Sequence, residues 1–563
     1  MNKKPPLFIL LGLLASAPLL YTMVRPAVAL DYTDVTLLEA KAMIDSNPFL
    51  VVLDVRNQSE YDAGHIRSAK LIPVWELAAR LNELNMSDQI LVYCETGERS
   101  ATASWILSTS RFLHVYNMLG GMTGWAREEY PVYVRYSSIQ EAINNASNED
   151  TIYVSTGLYT EHLSVNRSVS LMGEDKQSTM VDGTANGTVF YVNADNVSIS
   201  DFTIRYSGCA CAGYCGVNIE INHQNINVTN NIIVSDGYGI QLFKARKVII
   251  AQNNITRNTD SSIVVSDSSE VLVIQNNITN NFDGIEIDNS SESVFSGNTI
   301  YDSVNGISII DSYNNTFHAN NVSSNAIYGF YISQSDNNSI LRNTLSANGR
   351  QISTHNSANL WDNGFEGNFW SNYTGVDTNL DGIGDTPHVI DSENRDDFPL
   401  MGKFHSFNTS LNHDVDVVSN STVDGLEYLE ANSTIKLRVS STAADQTYGF
   451  CRISIPYSLI DPNNGSITVV IDNGQTPVLF LNNTLYDNGT HRWIYFTYSH
   501  STHEILIVPE LPAPLIPPLF MAATVVAIAA CKRRRVRTVK NCSSCLLFLT
   551  NYNMYFRAAA TAP

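Results

Sequence analysis

The sequence predicts a multidomain protein. An α/β domain comes first, then a right-handed parallel β-helix, then a β-sandwich and a C-terminal transmembrane helix. Three observations lead to this prediction. Short apolar strands alternate with helical segments early in the chain, a 22–23-residue repeat follows, and alternating strand patterns precede an apolar segment near the C-terminus.

The composition excludes two classes of protein. The 563 residues carry 34 Lys and Arg against 55 Asp and Glu, a net charge of −21. A chain this acidic repels phosphate backbones, so no nucleic-acid partner is expected. Hydrophobic residues reach 44% and charged residues 16%, which is opposite to the balance of a disordered protein.

Both ends of the chain carry signals for a membrane. Residues 1–29 have two lysines before an apolar run and end in small residues, a pattern typical of a signal peptide or an N-terminal anchor. Residues 511–531 are apolar and a basic cluster follows them, which predicts a transmembrane helix with a cytoplasmic tail at 532–563. The expected location is therefore the cell membrane, single-pass, with the bulk of the chain extracellular or periplasmic.

Asn-x-Ser/Thr sequons agree with export and predict a glycoprotein. They include Asn166, Asn196, Asn254, Asn277, Asn321 and Asn488.

Residues 32–135 mix strand and helix patterns. Apolar runs at 49–55 and 89–93 read as strands, and helix-like stretches lie between and after them. Strands that alternate with helices predict a parallel sheet covered on both faces. Working residues of such sheets lie just past the carboxyl ends of strands, and Cys94 has that position.

A series of motifs within this segment identifies its family. In order they are Leu53-Asp54-Val55-Arg56, Glu60-Tyr61, Gly64-His65-Ile66, Cys94-Glu95-Thr96-Gly97-Glu98-Arg99-Ser100, Gly120-Gly121, Trp125 and Tyr130-Pro131-Val132. Together they closely resemble the rhodanese family of sulfurtransferases over essentially all of 32–135. The resemblance implies that Cys94 carries sulfur and Arg99 closes the loop, while Asp54 and His65 brace the loop from beneath.

The residues of this loop also indicate the chemistry directly. A cysteine that follows a strand and opens a tight loop into a helix faces converging N–H groups, which favour a thiolate. Cys94 and Arg99 are the predicted catalytic residues, and the predicted persulfide loop around them contains Glu95, Thr96, Gly97, Glu98 and Ser100. A thiolate there attacks the outer sulfur of a donor and becomes a persulfide, which a thiophilic acceptor then removes. Such sulfur transfer requires no cofactor.

Two alternatives to an active sulfurtransferase remain open. Phosphatases use a Cys-x5-Arg loop, one residue longer than the interval between Cys94 and Arg99. The second alternative is a non-catalytic rhodanese module used for binding. Glu95 and Glu98 are expected to raise the pKa of the thiol and to repel a dianionic donor, so a polysulfide or persulfide donor is predicted. Sulfur transfer also requires that Cys94 be reachable from solvent.

A repeat runs through residues 138–400. Asn-Asn-Ile and its variants begin at 230, 253, 276, 298, 320 and 343, and Gly-Ile pairs keep the same period. Each period holds about three short Val/Ile strands separated by polar turns, which predicts a right-handed parallel β-helix with stacked asparagines. A leucine-rich repeat would instead need regular leucines and a helix in each unit.

The repeats resemble the β-helix modules of the NosD-like periplasmic copper-protein and carbohydrate-binding or sugar-hydrolase group. This resemblance implies possible binding of surface glycans or a structural stalk. The acidic residues considered for such a site are Asp236, Asp260, Asp283, Glu286 and Asp302, with solvated turn residues as the alternative.

The segment after the repeats matches a calcium loop. Asp377, Asn379 and Asp381 supply oxygen atoms at positions 1, 3 and 5, and the Ile383 carbonyl would be the position-7 ligand. His388 stands where a glutamate is usual, and Asp385 is expected to substitute. A metal-free turn is the alternative to a Ca²⁺ site at 377–385.

Three cysteines lie in a lengthened repeat. Cys209, Cys211 and Cys215 have the thiol chemistry for copper or zinc, but a disulfide plus one free thiol is the favoured prediction outside the cell. Cys451 is expected in the core of the β-sandwich predicted at 405–510.

The predicted function is extracytoplasmic sulfur transfer by a membrane-anchored protein whose β-helix binds glycans or surfaces. The alternative is a non-catalytic surface adhesion or carbohydrate-binding protein with a rhodanese-fold passenger domain. The C-terminal regions look like those of archaeal surface proteins.

Overall fold

The structure is a computed structural model that describes residues 32–440, 448–460, 467–472, 484–499 and 501–509. Among these residues, no helix is both long enough and apolar enough to cross a membrane. The predicted signal peptide, transmembrane helix and tail lie outside the described residues. The described chain divides into two compact units. One runs to residue 376 and includes 384–400, and the other joins 377–383 to the residues from 401 onward.

The first unit opens with a five-stranded parallel sheet, as the sequence predicts. Its strands are β1 (Thr33–Val35), β2 (Val51–Asp54), β3 (Lys70–Leu71), β4 (Gln89–Tyr93) and β5 (His114–Met118). Their order in the sheet is β1-β5-β4-β2-β3, and every pair is parallel. Since β4 lies in the middle and is buried beyond its first residue, its carboxyl end places Cys94 at the centre of the sheet edge.

Five helices accompany this sheet. They are α1 (Leu37–Ser46), α2 (Gln58–Ala63), α3 (Val74–Leu77), α4 (Glu98–Thr109) and α5 (Gly121–Arg127), with a 3-10 turn at Leu81–Glu83. Thr36 and Asn57 begin α1 and α2 with capping boxes, in which a glutamate three residues later returns a bond to the cap. These caps satisfy helix N–H groups that would otherwise lack a partner.

A right-handed β-helix follows helix α6 (Ile139–Asn145) and is built from three parallel sheets. The first sheet contains Thr151–Val154, Ser170–Gly173, Val197–Ser200, Gln224–Thr229, Arg246–Ala251, Ser269–Ile274, Val294–Ser296, Thr316–His318 and Ser339–Leu341. The second contains Gly157–Tyr159, Thr179–Asp182, Thr203–Arg205, Ile232–Val234, Asn254–Thr256, Asn277–Thr279, Thr299–Tyr301, Asn321–Ser323, Thr344–Ser346 and Phe369–Trp370. The third contains Leu163–Val165, Phe190–Val192, Cys215–Ile219, Tyr238–Phe243, Ile263–Ser266, Asp283–Asp288, Asn305–Ile310, Tyr328–Ser333 and Arg350–His355.

Each coil buries its apolar residues against the coils on either side. One such column is fully buried and contains Ile233, Ile255, Ile278, Ile300, Val322 and Leu345. A coil therefore cannot bury its core alone, which is why the repeat must be stacked to be stable.

The predicted asparagine ladder is present, but its first member is Asn231 and not Asn230, the position that the repeat spacing predicts. The buried ladder runs through Asn231, Asn253, Asn276, Asn298, Asn320, Asn343 and Asn368. In the repeat that begins at 230, the structural register is one residue later than the Asn-Asn-Ile spacing predicts. Ile233, and not Ile232, pairs with Ile255. Asn230 instead bonds Asp201 and Lys176 outside the core.

Within the ladder, each amide is almost completely satisfied. The Asn298 Nδ2 donates to the Asn320 Oδ1 at 2.9 Å and to the Val273 carbonyl at 2.8 Å. The Asn298 Oδ1 accepts from the backbone N–H and from the side-chain Nδ2 of Asn276, at 3.0 Å each. Through these bonds the side chain of Asn298 ties three successive coils together.

The second unit carries antiparallel sheets, as expected for 405–510. One has Lys403–Asn408, Asp414–Ser419, Tyr448–Pro456, Thr484–Asp487 and His491–Ser499, and the other has Thr422–Leu429, Thr434–Ser440, Ile467–Ile471 and His503–Pro509. Residues from both sheets form one hydrophobic core, which contains Cys451. Small elements elsewhere are the antiparallel pair His388–Val389 and Arg395–Asp396 and the 3-10 turns Ala210–Ala212 and Glu430–Asn432.

Substitution Asn298→Ala is expected to lower the free energy of unfolding by about 2–4 kcal/mol, because it leaves buried N–H and C=O groups of the flanking coils without partners. Urea unfolding followed by far-UV circular dichroism measures this. The matched control is Asn277→Ala, which removes an exposed amide contact to Asn254 and is expected to cost below about 0.5 kcal/mol. Equal effects of the two substitutions would contradict the role assigned to the buried ladder.

Candidate functional site

The loop after β4 wraps its backbone around the Cys94 sulfur. Gly97 donates its N–H to Cys94 Sγ at 3.2 Å and is the residue before α4. Gly97 has φ 109°, a left-handed conformation that favours glycine. This conformation turns the chain sharply enough for the helix N-terminus to face the sulfur.

The polar groups of the loop stabilise the thiolate form of Cys94. Burial raises the pKa of this thiol, but hydrogen bonds from Ser100 and from the N–H groups of Gly97 and Thr96 outweigh it. The pKa of Cys94 therefore lies below its usual value. A thiolate is the nucleophilic form of cysteine, so the loop favours the reactive state.

The start of α5 fixes the other side of the loop. Met122 and Thr123 donate their N–H groups to the carbonyls of Cys94 and Glu95, at 2.8 and 3.1 Å. Gly121 has φ 56°, and a Cβ atom there would lie 2.5 Å from the Cys94 carbonyl oxygen. The carbonyl groups are thus held toward α5, and the pair Gly120-Gly121 of the sequence motif has a steric explanation.

Arg56 links the sheet to the loop from a buried position. Its guanidinium bonds both oxygens of Asp54, and it reaches the Gly64 carbonyl at 2.6 Å and Glu95 Oε2 at 3.1 Å. Asp54 is 0% exposed, so Arg56 neutralises a charge that would otherwise be costly to bury. Asp54 thus supports the loop through Arg56, which stands in the motif Leu53-Asp54-Val55-Arg56 but is not among the predicted site residues.

The expectation that Glu95 and Glu98 raise the thiol pKa is wrong in direction. The Glu95 carboxylate is bonded by Arg56 and, at 3.0 Å, by the Thr123 hydroxyl, while Glu98 is exposed on the first turn of α4. Their charges are therefore paired or solvated, and the Ser100 hydroxyl together with the N–H groups nearest the sulfur lowers the pKa of Cys94.

Arg99 makes a two-pronged ion pair with Glu60. The distances are 2.9 Å to Glu60 Oε2 and 2.5 Å to Oε1. Hydrogen bonding from Arg99 lowers the pKa of Glu60 to about 2, so the pair persists across the neutral range. Arg99 therefore fastens α4 to α2. The partner, Glu60, stands in the quoted motif Glu60-Tyr61 but was not among the predicted site residues.

The predicted loop brace His65 makes its side-chain contacts elsewhere. Its ring stacks on Tyr61 at 3.7 Å, its Nδ1 lies 2.9 Å from the Tyr61 carbonyl oxygen, and its Nε2 lies 3.0 Å from Glu174 Oε2. Glu174 belongs to the β-helix. Nothing in the local sequence around position 174 indicates this contact.

Solvent reaches very little of Cys94, which is 1% exposed. Transfer of sulfur therefore requires the loop to open enough to admit the outer sulfur of a donor. The orientation of the N–H groups meets the requirement drawn from the sequence, and the exposure of the resting state does not.

The predicted calcium loop folds into a compact turn, but its side chains bond one another. Asp377 accepts the N–H groups of Asp381 and Gly382, and Asn379 Nδ2 donates to Asp381 Oδ2 at 3.1 Å. Ile383 donates its N–H to Asp381 Oδ1, and the Arg452 guanidinium donates to the Asp381 carbonyl at 2.8 Å. Asp385 donates its own N–H to the Val376 carbonyl.

In this arrangement the oxygen atoms of Asp377 and Asp381 accept hydrogen bonds from within the loop. In the part of the chain that the structure describes, no group of three or more His, Cys, Asp or Glu side chains is placed to hold a metal ion. Ca²⁺ at 377–385 stays a prediction, and a calcium-dependent rise in melting temperature would support it.

The three clustered cysteines separate as the favoured prediction states. Cys209 and Cys211 form a disulfide, and Cys215 is free and buried. Burial raises the pKa of Cys215 to about 12, so this thiol stays protonated at neutral pH.

Three of the five acidic candidates of the β-helix lie together. The Ser261 hydroxyl lies 2.7 Å from Glu286 Oε2 and 3.4 Å from Asp260 Oδ1, and Asp283 accepts from Asn305 and Ser308. Burial raises the pKa values of Asp283 and Glu286. The other two candidates lie apart: Asp236 is fully buried and donates its N–H to Asn258 Oδ1, and Asp302 is exposed.

Comparison with known proteins agrees with the two parts of the first unit. Residues 36–128 match the family model of the rhodanese-like domain, and residues 215–380 match that of the right-handed β-helix region. The chain thus contains a rhodanese-like domain followed by a right-handed β-helix, as the sequence motifs and the repeat predict.

The relatives cover only a small part of this chain. YrkF of Bacillus subtilis (strain 168) is 37% identical over 92 residues, which is 16% of this chain and 50% of the relative. A protein of Allochromatium vinosum named sulfurtransferase is 29% identical over 93 residues, 16% of this chain and 86% of the relative. The crystal structure of a rhodanese-related protein from Thermoplasma volcanium is 31% identical, with 18% of this chain and 100% of that chain covered and a TM-score of 0.17.

The chain spans 50% and 59% of the lengths of YrkF and of a second Bacillus subtilis relative.

Among the free cysteines of the described residues, Cys94 is expected to be the only one that iodoacetamide alkylates between pH 6 and pH 8. The thiol pKa of Cys94 lies below its usual value, whereas burial raises the pKa of Cys215 to about 12 and that of Cys451 to about 11. Since the thiolate forms above the pKa, Cys94 reacts at lower pH than the unfolded protein does, which peptide mass spectrometry measures. A Cys94 midpoint equal to that in urea would contradict the stabilisation by the loop.

Proposed function

We propose that this protein is a sulfurtransferase in which Cys94 carries the transferred sulfur as a persulfide. The observation that carries the proposal is the loop geometry: a cysteine at the carboxyl end of β4 whose sulfur accepts the Gly97 N–H and whose thiol pKa is lowered. The rhodanese-like domain and the relative named sulfurtransferase support it at the level of the family.

The reaction proceeds in two balanced half-reactions. The Cys94 thiolate attacks the outer sulfur of the donor, a sulfur–sulfur bond forms, and the bond to the donor breaks as the donor leaves with the electron pair. The N–H groups of the loop that stabilise the thiolate then face the terminal sulfur anion. An acceptor thiolate attacks that outer sulfur and releases the Cys94 thiolate, so ping-pong kinetics follow.

The charges around the loop indicate a donor with little negative charge. Arg56 is bonded to Asp54 and Glu95, and Arg99 is bonded to Glu60. Both guanidinium groups are thus neutralised within the protein, while Glu98 adds an exposed carboxylate. An organic persulfide therefore fits the loop better than dianionic thiosulfate does.

Incubation of the full chain with cysteine persulfide is expected to add one sulfur atom to Cys94, and Cys94→Ser is expected to abolish the addition. Arg56 and Arg99 are both paired with carboxylates of the protein and so attract a dianionic donor weakly. The initial rate with cysteine persulfide should therefore exceed that with thiosulfate by about tenfold at equal concentration. Mass spectrometry of the Cys94 peptide measures both. If the wild-type protein gains no sulfur atom at Cys94, the proposed sulfurtransferase function is wrong.

Release of Arg99 tests the donor preference. Glu60→Gln frees the guanidinium of its ion pair and is expected to raise the thiosulfate rate relative to the persulfide rate. Glu76→Gln is the matched control, because it weakens the exposed pair with Arg80 and leaves the loop unchanged. An unchanged ratio in Glu60→Gln would contradict the electrostatic explanation of the preference.

A second candidate function is that of a non-catalytic surface protein that binds glycans through its β-helix. The 1% exposure of Cys94 favours it, since a sealed cysteine performs no transfer. Binding of the full chain on a glycan array, together with the absence of both persulfide and Cys94 alkylation, would support this second function over the first.

We further propose that the chain is anchored in the cell membrane through residues 511–531 with its bulk outside the cytoplasm. The apolar segment and the basic cluster that follows it support this location. The full chain is expected to stay in the membrane pellet after carbonate extraction at high pH, whereas a variant that ends at 510 is released. Release of the full chain would contradict the anchor.

A further inference from the structure

The rhodanese-like domain and the β-helix are joined by backbone hydrogen bonds. Tyr133 exchanges two such bonds with His65, at 2.9 and 3.0 Å, as an isolated antiparallel bridge. The next residue, Val134, pairs in parallel with Val154 of the first sheet of the β-helix. The two adjacent residues Tyr133 and Val134 therefore pair with the rhodanese-like domain and with the β-helix, which lie in the same compact unit.

Glu174 inserts its carboxylate into this joint from the β-helix side. It follows the strand Ser170–Gly173 and is 2% exposed. Its Oε1 accepts the Ser68 N–H at 2.8 Å, and its Oε2 accepts the Thr156 N–H at 3.0 Å and faces His65. Its backbone carbonyl accepts from the Arg67 side chain at 2.9 Å. One residue of the β-helix thus contacts three of the four positions 65–68 of the rhodanese-like domain, namely His65, Arg67 and Ser68.

The His65 ring faces an oxygen atom with each nitrogen. Nδ1 lies 2.9 Å from the Tyr61 carbonyl oxygen, which only accepts, and Nε2 lies 3.0 Å from the Glu174 carboxylate. Tyr61 and Glu174 therefore hold the ring at both of its nitrogen atoms.

Two short paths lead from His65 to the Cys94 loop. The carbonyl of Gly64, the preceding residue, accepts from Arg56, and Arg56 bonds Glu95 next to Cys94. The other path passes through α2, where Tyr61 contacts the His65 ring and the adjacent Glu60 holds Arg99. The two paths end on Glu95 and Arg99, one and five positions after Cys94. A shift of His65 therefore reaches the loop at two of its residues.

We propose that Glu174 acts through His65 as a positioning residue for the Cys94 loop, so that the first coils of the β-helix form part of the sulfur-transfer site. The proposal rests on the proposed function for the meaning of the loop. Its principal readout, the alkylation of Cys94, does not depend on sulfur transfer.

Glu174→Gln keeps the shape of the side chain and removes its charge. His65 Nε2 then faces a neutral amide in place of the carboxylate, and the positions of Gly64 and Tyr61 next to the loop are held less firmly. We expect the Gly97 N–H to align less well with the sulfur, which returns the Cys94 thiol toward the behaviour of an ordinary cysteine.

The experiment follows the alkylation of Cys94 by iodoacetamide as a function of pH in the full chain. Glu174→Gln and His65→Gln are each expected to raise the pH midpoint by about one unit, which is about a tenfold loss of thiolate at a fixed pH below the midpoint. The double variant is expected to shift no further than either single variant, because both changes break the same contact.

Asp195→Asn is the matched control. Asp195 pairs with His223 at 2.9 Å, a second carboxylate–imidazole contact of the β-helix that makes no contact with the rhodanese-like domain. This substitution is expected to leave the Cys94 midpoint at the wild-type value, even if it lowers the melting temperature.

An unchanged midpoint in Glu174→Gln with a lowered melting temperature would overturn the proposal, because Glu174 would then act on stability alone. Additive shifts in the double variant would also overturn it. Should Glu174→Gln fail to fold, Glu174→Asp, which keeps the charge but shortens the reach, and His65→Gln are judged by the same midpoints. Absence of persulfide in the wild type with a shifted midpoint overturns only the proposed function.

Discussion

The site depends on one constraint: backbone N–H groups must face the same point at the end of β4. The left-handed Gly97, the close approach of Gly121 and the bonds from α5 to the carbonyls of the loop all serve this orientation. The carbonyl groups of Cys94 and Glu95 are bonded by α5, so the loop stabilises a negatively charged sulfur best. The arginines stabilise the loop around this point through their bonds to Asp54, Glu95 and Glu60.

Much of the fold follows from periodicity in the sequence. The alternation of strands and helices before Cys94, and the polar and apolar period after residue 138, are local patterns that fix which residues are buried. The register of the first ladder position did not follow, because Asn230 and Asn231 are chemically identical and only the neighbouring coil decides which one enters the core.

The site residues divide in the same way. Cys94 and Arg99 stand in a contiguous motif, so the sequence identifies them, whereas the partner of Arg99 and the neutralisation of Glu95 arise from residues 39 positions away. The sign of the thiol pKa shift was mispredicted from formal charges alone. Glu174 gave no signal at all, since its role depends on a contact with His65 across 109 positions of the chain.

The joint between the two parts of the first unit has a consequence for biosynthesis. A chain made from its N-terminus adds Cys94 80 positions before Glu174. The nascent N-terminal domain therefore passes through a stage in which His65 has no carboxylate to meet and its edge at Tyr133 has no coil to join. Maturation of the thiol environment and winding of the first coils are in this way steps of one assembly process.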